Sequence, residues 1–221
     1  MGWKAFAILA TDTPGYFGTR PAHDPSAAEA LRQQLGLERY EHAGEADFYS
    51  ALYPAGGDLY IGAYENGCIL CEPDLPTSFF AAEHARRIHR PGTNLDSVRT
   101  RLLALYPQGE VMALVLHSVV NLWGYSIYTQ GRLLRTAAGA SDDGLFANEG
   151  APLPEEQAVL QRCPLDRVDE EGEGEELVFD VATRMFGRRL DSVDDIQLRL
   201  AHYRRTSAFG LGALKKLFGR R

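Results

Sequence analysis

Three groups of residues in this 221-residue chain have side chains capable of chemistry. His117-Ser118, with Asn121 three positions on, sets an imidazole beside a hydroxyl. Histidine is the usual base near neutral pH. Asp12 stands before the loop Pro14-Gly15-Tyr16-Phe17-Gly18, and loops this long are more often functional than short ones. Cys68-Ile69-Leu70-Cys71 has the CxxC spacing of a redox pair or of half a zinc site.

Each group also has a structural reading. A reactive CxxC thiolate is stabilised by a helix N-terminus. Here the pair follows Asn66-Gly67 within a strand, so the two thiols point to opposite faces. Cys163 lacks the partner a four-ligand zinc site requires. The cysteines therefore read as small core hydrophobes, reduced and metal-free. His117 and Ser118 are neighbours in sequence, which does not place them in hydrogen-bond geometry, and no G-x-S-x-G elbow surrounds them. A buried, satisfied histidine is the competing reading, as a turn-forming aspartate is for Asp12. If the strands ending at Asp12 and His117 were parallel neighbours, both residues would face one edge of a sheet, the one catalytic constellation the sequence permits. No glycine loop has P-loop spacing, no cofactor is implied, and Arg86 to Arg90 reads as a solvated helix end.

The elements that must position these residues follow from the hydrophobic pattern. Trp3–Ala10 and Val111–His117 are apolar on both alternating faces, as a strand covered on two sides is. They are expected to be adjacent central strands. Asp24 caps a helix with Pro25 at its first turn and Gly36 at its end, with Ala27, Leu31 and Leu35 facing inward. Asn66-Gly67 and Gln130-Gly131 predict hairpins. The spacing predicts helices over 77–89 and 94–106, the second capped by Asn94 with Val98, Leu102 and Leu105 inward, and over 177–186. The stretch 166–176, DRVDEEGEGEE, predicts a solvated acidic loop, and 196–203 is ambiguous between helix and strand. The fold class is α+β: a single mixed β-sheet of about six strands with helices packed on it. Residues 1–190 form the main domain, and 191–221 form a basic C-terminal helical extension.

Composition narrows the class further. Hydrophobic residues are 45% and charged residues 24%, which is globular usage. Three cysteines argue against a disulfide framework and fit a reducing compartment. The start MGWKAFAILATD has no signal-peptide pattern and no apolar run of membrane length, so the cytoplasm is expected. The net charge of −7 divides into 13 basic and 27 acidic residues before Arg184, and ten basic and three acidic from there on. An acidic body disfavours nucleic acid. The tail Ser207–Arg221, SAFGLGALKKLFGRR, reads either as a helix packed on its own domain or as a contact with an anionic membrane surface or a partner.

One stretch resembles a known family. His117-Ser118, then Trp123 and Tyr125, Gly131-Arg132-Leu133 and Gly150-Ala151-Pro152-Leu153-Pro154 are similar to the core of a bacterial family catalogued as a domain of unknown function. GGDLYIGAYENGCILC is similar to its second segment. Asn121 departs from the pattern, which has an aspartate there, and the tail after Arg189 is unmatched. The resemblance implies a fold and a bacterial origin and carries no reaction.

The expected function is a non-enzymatic protein-binding module, with toxin neutralisation as an analogy only. Its binding residues would be an exposed Tyr16-Phe17 loop and Trp123. The alternative is an enzyme with a site near Asp12, His117 and Ser118.

Overall fold

In a computed structural model, the described residues are 2–88, 96–192 and 196–206. The two segments apolar on both faces become β1 (Lys4–Thr11) and β5 (Glu110–His117). They are neighbours at the middle of the sheet and run antiparallel, with Lys4 opposite His117 and Thr11 opposite Glu110. The other strands are β2 (Tyr40–Asp47), β3 (Asp58–Tyr64), β4 (Gly67–Cys71), β6 (Leu122–Thr129), β7 (Arg132–Ala140), β8 (Gly144–Glu149) and β9 (Arg199–Arg205). Their order is β2-β9-β3-β4-β1-β5-β6-β7-β8, and every pairing is antiparallel. The expectation of a mixed sheet of about six strands is corrected on both counts. The strands that escaped the sequence reading are β2 and β8, at the two ends of the sheet, while β9, beside β2, falls in the stretch left ambiguous between helix and strand. Their sequences, YEHAGEAD, GLFANE and RLAHYRR, lack the continuous apolar runs of the centre because they are partly open to water. β9 lies beyond residue 190 and hydrogen-bonds between β2 and β3, so the sheet takes in residues that the sequence reading assigned to the extension.

Helices cover both faces, which is why β1 and β5 are apolar all round. One face buries Ala5, Ala7 and Leu9 of β1 against α2 (Phe48–Leu52), α7 (Gly174–Phe186) and the turn Tyr16–Thr19; the short helices α5 (Gln157–Leu160) and α6 (Val168–Glu171) contribute Val159 and Val168. The other buries Phe6, Ile8 and Ala10 against α1 (Pro25–Gln34), α3 (Ala82–Ile88) and α4 (Asp96–Leu105). The Asp24 carboxylate accepts the Ser26 and Ala27 N–H groups at 2.8 and 3.0 Å, as a cap should. Ala28 rather than Ala27 is the inward alanine of α1. In α4, Val98 and Leu102 are buried but Leu105 is 41% exposed.

Residues 166–176 are not a loop. Val168 is buried and pins α6 to the core, Gly172 breaks the chain at φ 72°, and α7 begins at Gly174. Apart from Asp169, which is buried, the acids there are exposed or half-buried on or beside helices, so counting them misread a solvated face as a solvated segment. The second hairpin turns at Gln130-Gly131, φ 52° and 70°, the two positive values of the tight primed turn. The first turns at Glu65-Asn66, with Tyr64 opposite Gly67, and Asn66 and Gly67 both keep negative φ. Gly67 is needed there for closeness: a Cβ would stand 2.8 Å from the Ala10 carbonyl oxygen and 3.1 Å from the Phe17 ring. The Asn94 cap, His89 and the tail Ser207–Arg221 lie outside the described residues. No helix among the described residues is long and apolar enough to cross a membrane.

Candidate functional site

The antiparallel register decides the fate of the proposed catalytic pair. Thr11 faces Glu110 and Lys4 faces His117, so Asp12 and His117 leave the sheet at opposite ends. Seven residues of strand at about 3.3 Å each separate those ends by roughly 23 Å. The shared edge required parallel strands and does not exist. Nor do His117 and Ser118 form a dyad: Nδ1 of His117 is buried without a hydrogen-bond partner among the described residues. The Ser118 N–H donates to the Trp3 carbonyl at 3.0 Å.

The expected binding residues are corrected too. Phe17 is fully buried and Tyr16 nearly so. Phe17 packs its ring 5.7 Å from both Tyr64 and Phe186, and the Tyr16 hydroxyl accepts the Asn66 N–H at 3.1 Å. The long loop is therefore a plug that seals one face of the sheet; its aromatics signalled core, not exposure. Trp123 is also buried, and its indole N–H donates to the Asp169 carboxylate. The other Asp169 oxygen is buried without a hydrogen-bond partner among the described residues, and desolvation raises that carboxyl's pKa. Asn121 takes the left-handed conformation, φ 46°, and its amide donates to the Asp169 carbonyl at 3.2 Å. These are structural contacts. Cys68 and Cys71 do point to opposite faces, one into each side of the core. Burial pushes the Cys68 thiol up to about 12 and raises Cys71 further.

Asp12 lines a pocket of about 300 Å³ with Glu110, Glu155 and Arg184. The Arg184 guanidinium donates to both Glu110 oxygens, at 2.9 and 2.5 Å, and to Glu155 at 3.0 Å. Arg184 and Glu110 are spent on one another, tying α7 to β5, while Oε2 of Glu155 is buried without a hydrogen-bond partner among the described residues.

His117 borders a much larger space. At its end of the sheet lies an open cleft of about 1200 Å³. Its floor comes from β1 and β5: Phe6 and His117, ring centroids 6.5 Å apart. Tyr53 stands just past the end of α2 and remains 47% exposed, 6.0 Å from the His117 ring and 6.3 Å from Phe6. It leads into Pro54-Ala55-Gly56-Gly57, the loop that forms one wall. Arg205 and Thr206 from the end of β9 extend that side, with Arg39 just before β2.

Glu72-Pro73-Asp74 after β4 also lines the cleft. The rigidity of that segment comes from Glu72. One carboxylate oxygen accepts the Tyr40 hydroxyl at 2.9 Å, and the other accepts the Asp74 and Leu75 N–H groups at 2.7 and 2.9 Å. Burial raises the Glu72 pKa, and the Tyr40 phenol is pushed up to about 12 by burial and by this carboxylate. Lys4 stands beside Tyr53, its ammonium 4.6 Å over the ring. Val119 and Val120, on the turn just after His117, are 75% and 51% exposed.

The cleft has an aromatic floor, a Pro/Gly loop at one side and the hydrogen-bonded Glu72 segment in its lining. It can seat an apolar side chain against Tyr53 and His117 while the rim hydrogen-bonds to what carries it. Sequence reasoning found His117 and missed Tyr53, Phe6, Glu72 and Arg205. The one local signal was Tyr53-Pro54-Ala55-Gly56-Gly57, an aromatic leading into a Pro/Gly loop.

Residues 4–183 match the model of a family described as a family of unknown function (DUF6928), and the chain belongs to that family. No curated protein and no solved structure matches it.

Proposed function

We propose that this member of the DUF6928 family is a protein-binding module whose recognition site is the cleft at the His117 end of the sheet. The observation that carries the reading is Tyr53, a large aromatic side chain left nearly half exposed over a floor of Phe6 and His117. Tyrosine and arginine dominate the binding energy of protein interfaces, since a rigid ring or fork loses little freedom on docking. Arg205 stands on the same cleft. Its volume, about 1200 Å³, exceeds the usual range for a small-molecule pocket and suits a chain segment. A catalytic reading gains no support from the same place, because His117 has neither an orienting carboxylate nor a nucleophile hydrogen-bonded to Nδ1 among the described residues.

The test is capture from an extract of the native cell on the full chain, beside Tyr53→Ala and an Asp12→Ala control at the opposite end of the sheet. The expected result is a protein retained by the wild type and by Asp12→Ala and lost by Tyr53→Ala. Equal retention by all three would place binding elsewhere on the molecule.

A further inference from the structure

We infer that the segment seated in this cleft is acidic, an apolar or aromatic anchor flanked by Asp or Glu. The inference rests on the cleft being the recognition site and adds the chemistry of its partner. The Glu72 carboxylate on the cleft wall is already committed. Glu72 is buried and gives both oxygens to Tyr40 and to two backbone N–H groups, and Asp74 is half-buried beside it. On the open side the charges are cationic. Arg205 is exposed at the end of β9. Lys4 holds its ammonium over the Tyr53 ring, 3.4 Å from the hydroxyl.

A cationic rim is unexpected on this molecule. The first 183 residues carry 13 basic and 27 acidic side chains, so cations collected around one exposed aromatic stand against the field of the body. A carboxylate entering beside Tyr53 finds Lys4 and Arg205 as charge-assisted donors. A basic segment meets like charge, which suppresses wrong partners.

The test uses the full chain and two fluorescein-labelled peptides, one alternating Glu with Phe and Leu, the other with Lys in place of every Glu. Anisotropy should show the Glu peptide binding, and Arg205→Glu or Lys4→Glu should each weaken it about tenfold. Added salt should weaken it as well, since screening shortens from about 10 Å at 0.1 M to about 3 Å at 1 M. The two charge reversals sit on different strands, so a folding defect in one, read from its melting curve, leaves the other as the measurement. The inference is overturned by the Lys peptide binding as tightly, by a Glu peptide indifferent to both reversals, or by no binding of the Glu peptide. Phosphatidylserine vesicles or RNA displacing the Glu peptide and surviving Tyr53→Ala would overturn it in favour of a general anion surface. A partner captured through Tyr53 by a basic segment would sink the acidic assignment while leaving the cleft as the recognition site. Capture indifferent to Tyr53→Ala would sink the cleft itself.

Discussion

Burial sets what each reactive residue can do. Cys68 and Cys71 are buried on opposite faces of β4, and their thiols are raised because the thiolate would be desolvated. Both should resist iodoacetamide in the native protein at neutral pH and react only on unfolding, as followed by mass spectrometry. Prompt native labelling, or stoichiometric zinc by elemental analysis, would contradict this. Asp169 tests the same physics with the opposite consequence for stability. Its pKa is raised by burial, so the fold prefers the protonated form. That preference is fully present below the unfolded carboxylate value of about 3.9 and is lost as pH rises through the raised folded value. Asp169→Asn keeps an acceptor for Trp123 and carries no charge. Its melting temperature should therefore gain on the wild type as pH rises from about 4 to 7. The expected gain is a few degrees, at roughly 2–4 °C per kcal/mol for a chain of this size. A difference independent of pH would mean that Asp169 is not raised. The cysteine geometry was legible in the sequence, because strand alternation alone separates the thiols. The Asp169–Trp123 contact was not, because its partners stand 46 positions apart in the chain.

Among the elements, the hairpins and the two central strands were legible, since their signals are local. Gln130-Gly131 supplies both positive φ values of its turn, and apolar residues on both faces of β1 and β5 record helices above and below. Strand direction was not legible: the same pattern fits parallel and antiparallel neighbours, and that one ambiguity created the false Asp12–His117 pair. The segment after β8 is held in a way no local pattern displays. Arg135 of β7 and Glu156 form an ion pair with both side chains fully buried, closed by bonds at 2.8 and 3.1 Å. Arg135 also donates to Asn148 and to the Glu149 and Gly150 carbonyls. The pair pins Gly150-Ala151-Pro152-Leu153-Pro154 to β7 and β8. Glu156→Ala strands a buried guanidinium and should cost about 3–5 kcal/mol in denaturant unfolding. Arg135→Met with Glu156→Leu should recover much of that loss, because no charge is then buried. A loss below about 1 kcal/mol for Glu156→Ala, the scale of an exposed pair, would contradict the buried geometry.

Across the whole molecule, the sheet turns nine strands into a platform with two different ends. At one end Arg184 is held between Glu110 and Glu155. At the other, an aromatic floor stays open under Tyr53. The sequence revealed that His117 ends a central strand but not what surrounds it, because the cleft draws on residues from positions 6 to 206. Its most exposed aromatic, Tyr53, lies in a segment with no chemical motif. The acidic body was legible from composition, yet the cations of the cleft rim belong to it only through folding. The account stands on Tyr53 as the anchor of recognition. The most direct measurement is calorimetric titration of the captured partner's binding segment into the full wild-type chain and into Tyr53→Ala. The account expects at least a tenfold loss of affinity, about 1.4 kcal/mol, with the melting temperature of the variant unchanged because Tyr53 is half exposed. Equal affinity for the two chains would contradict it.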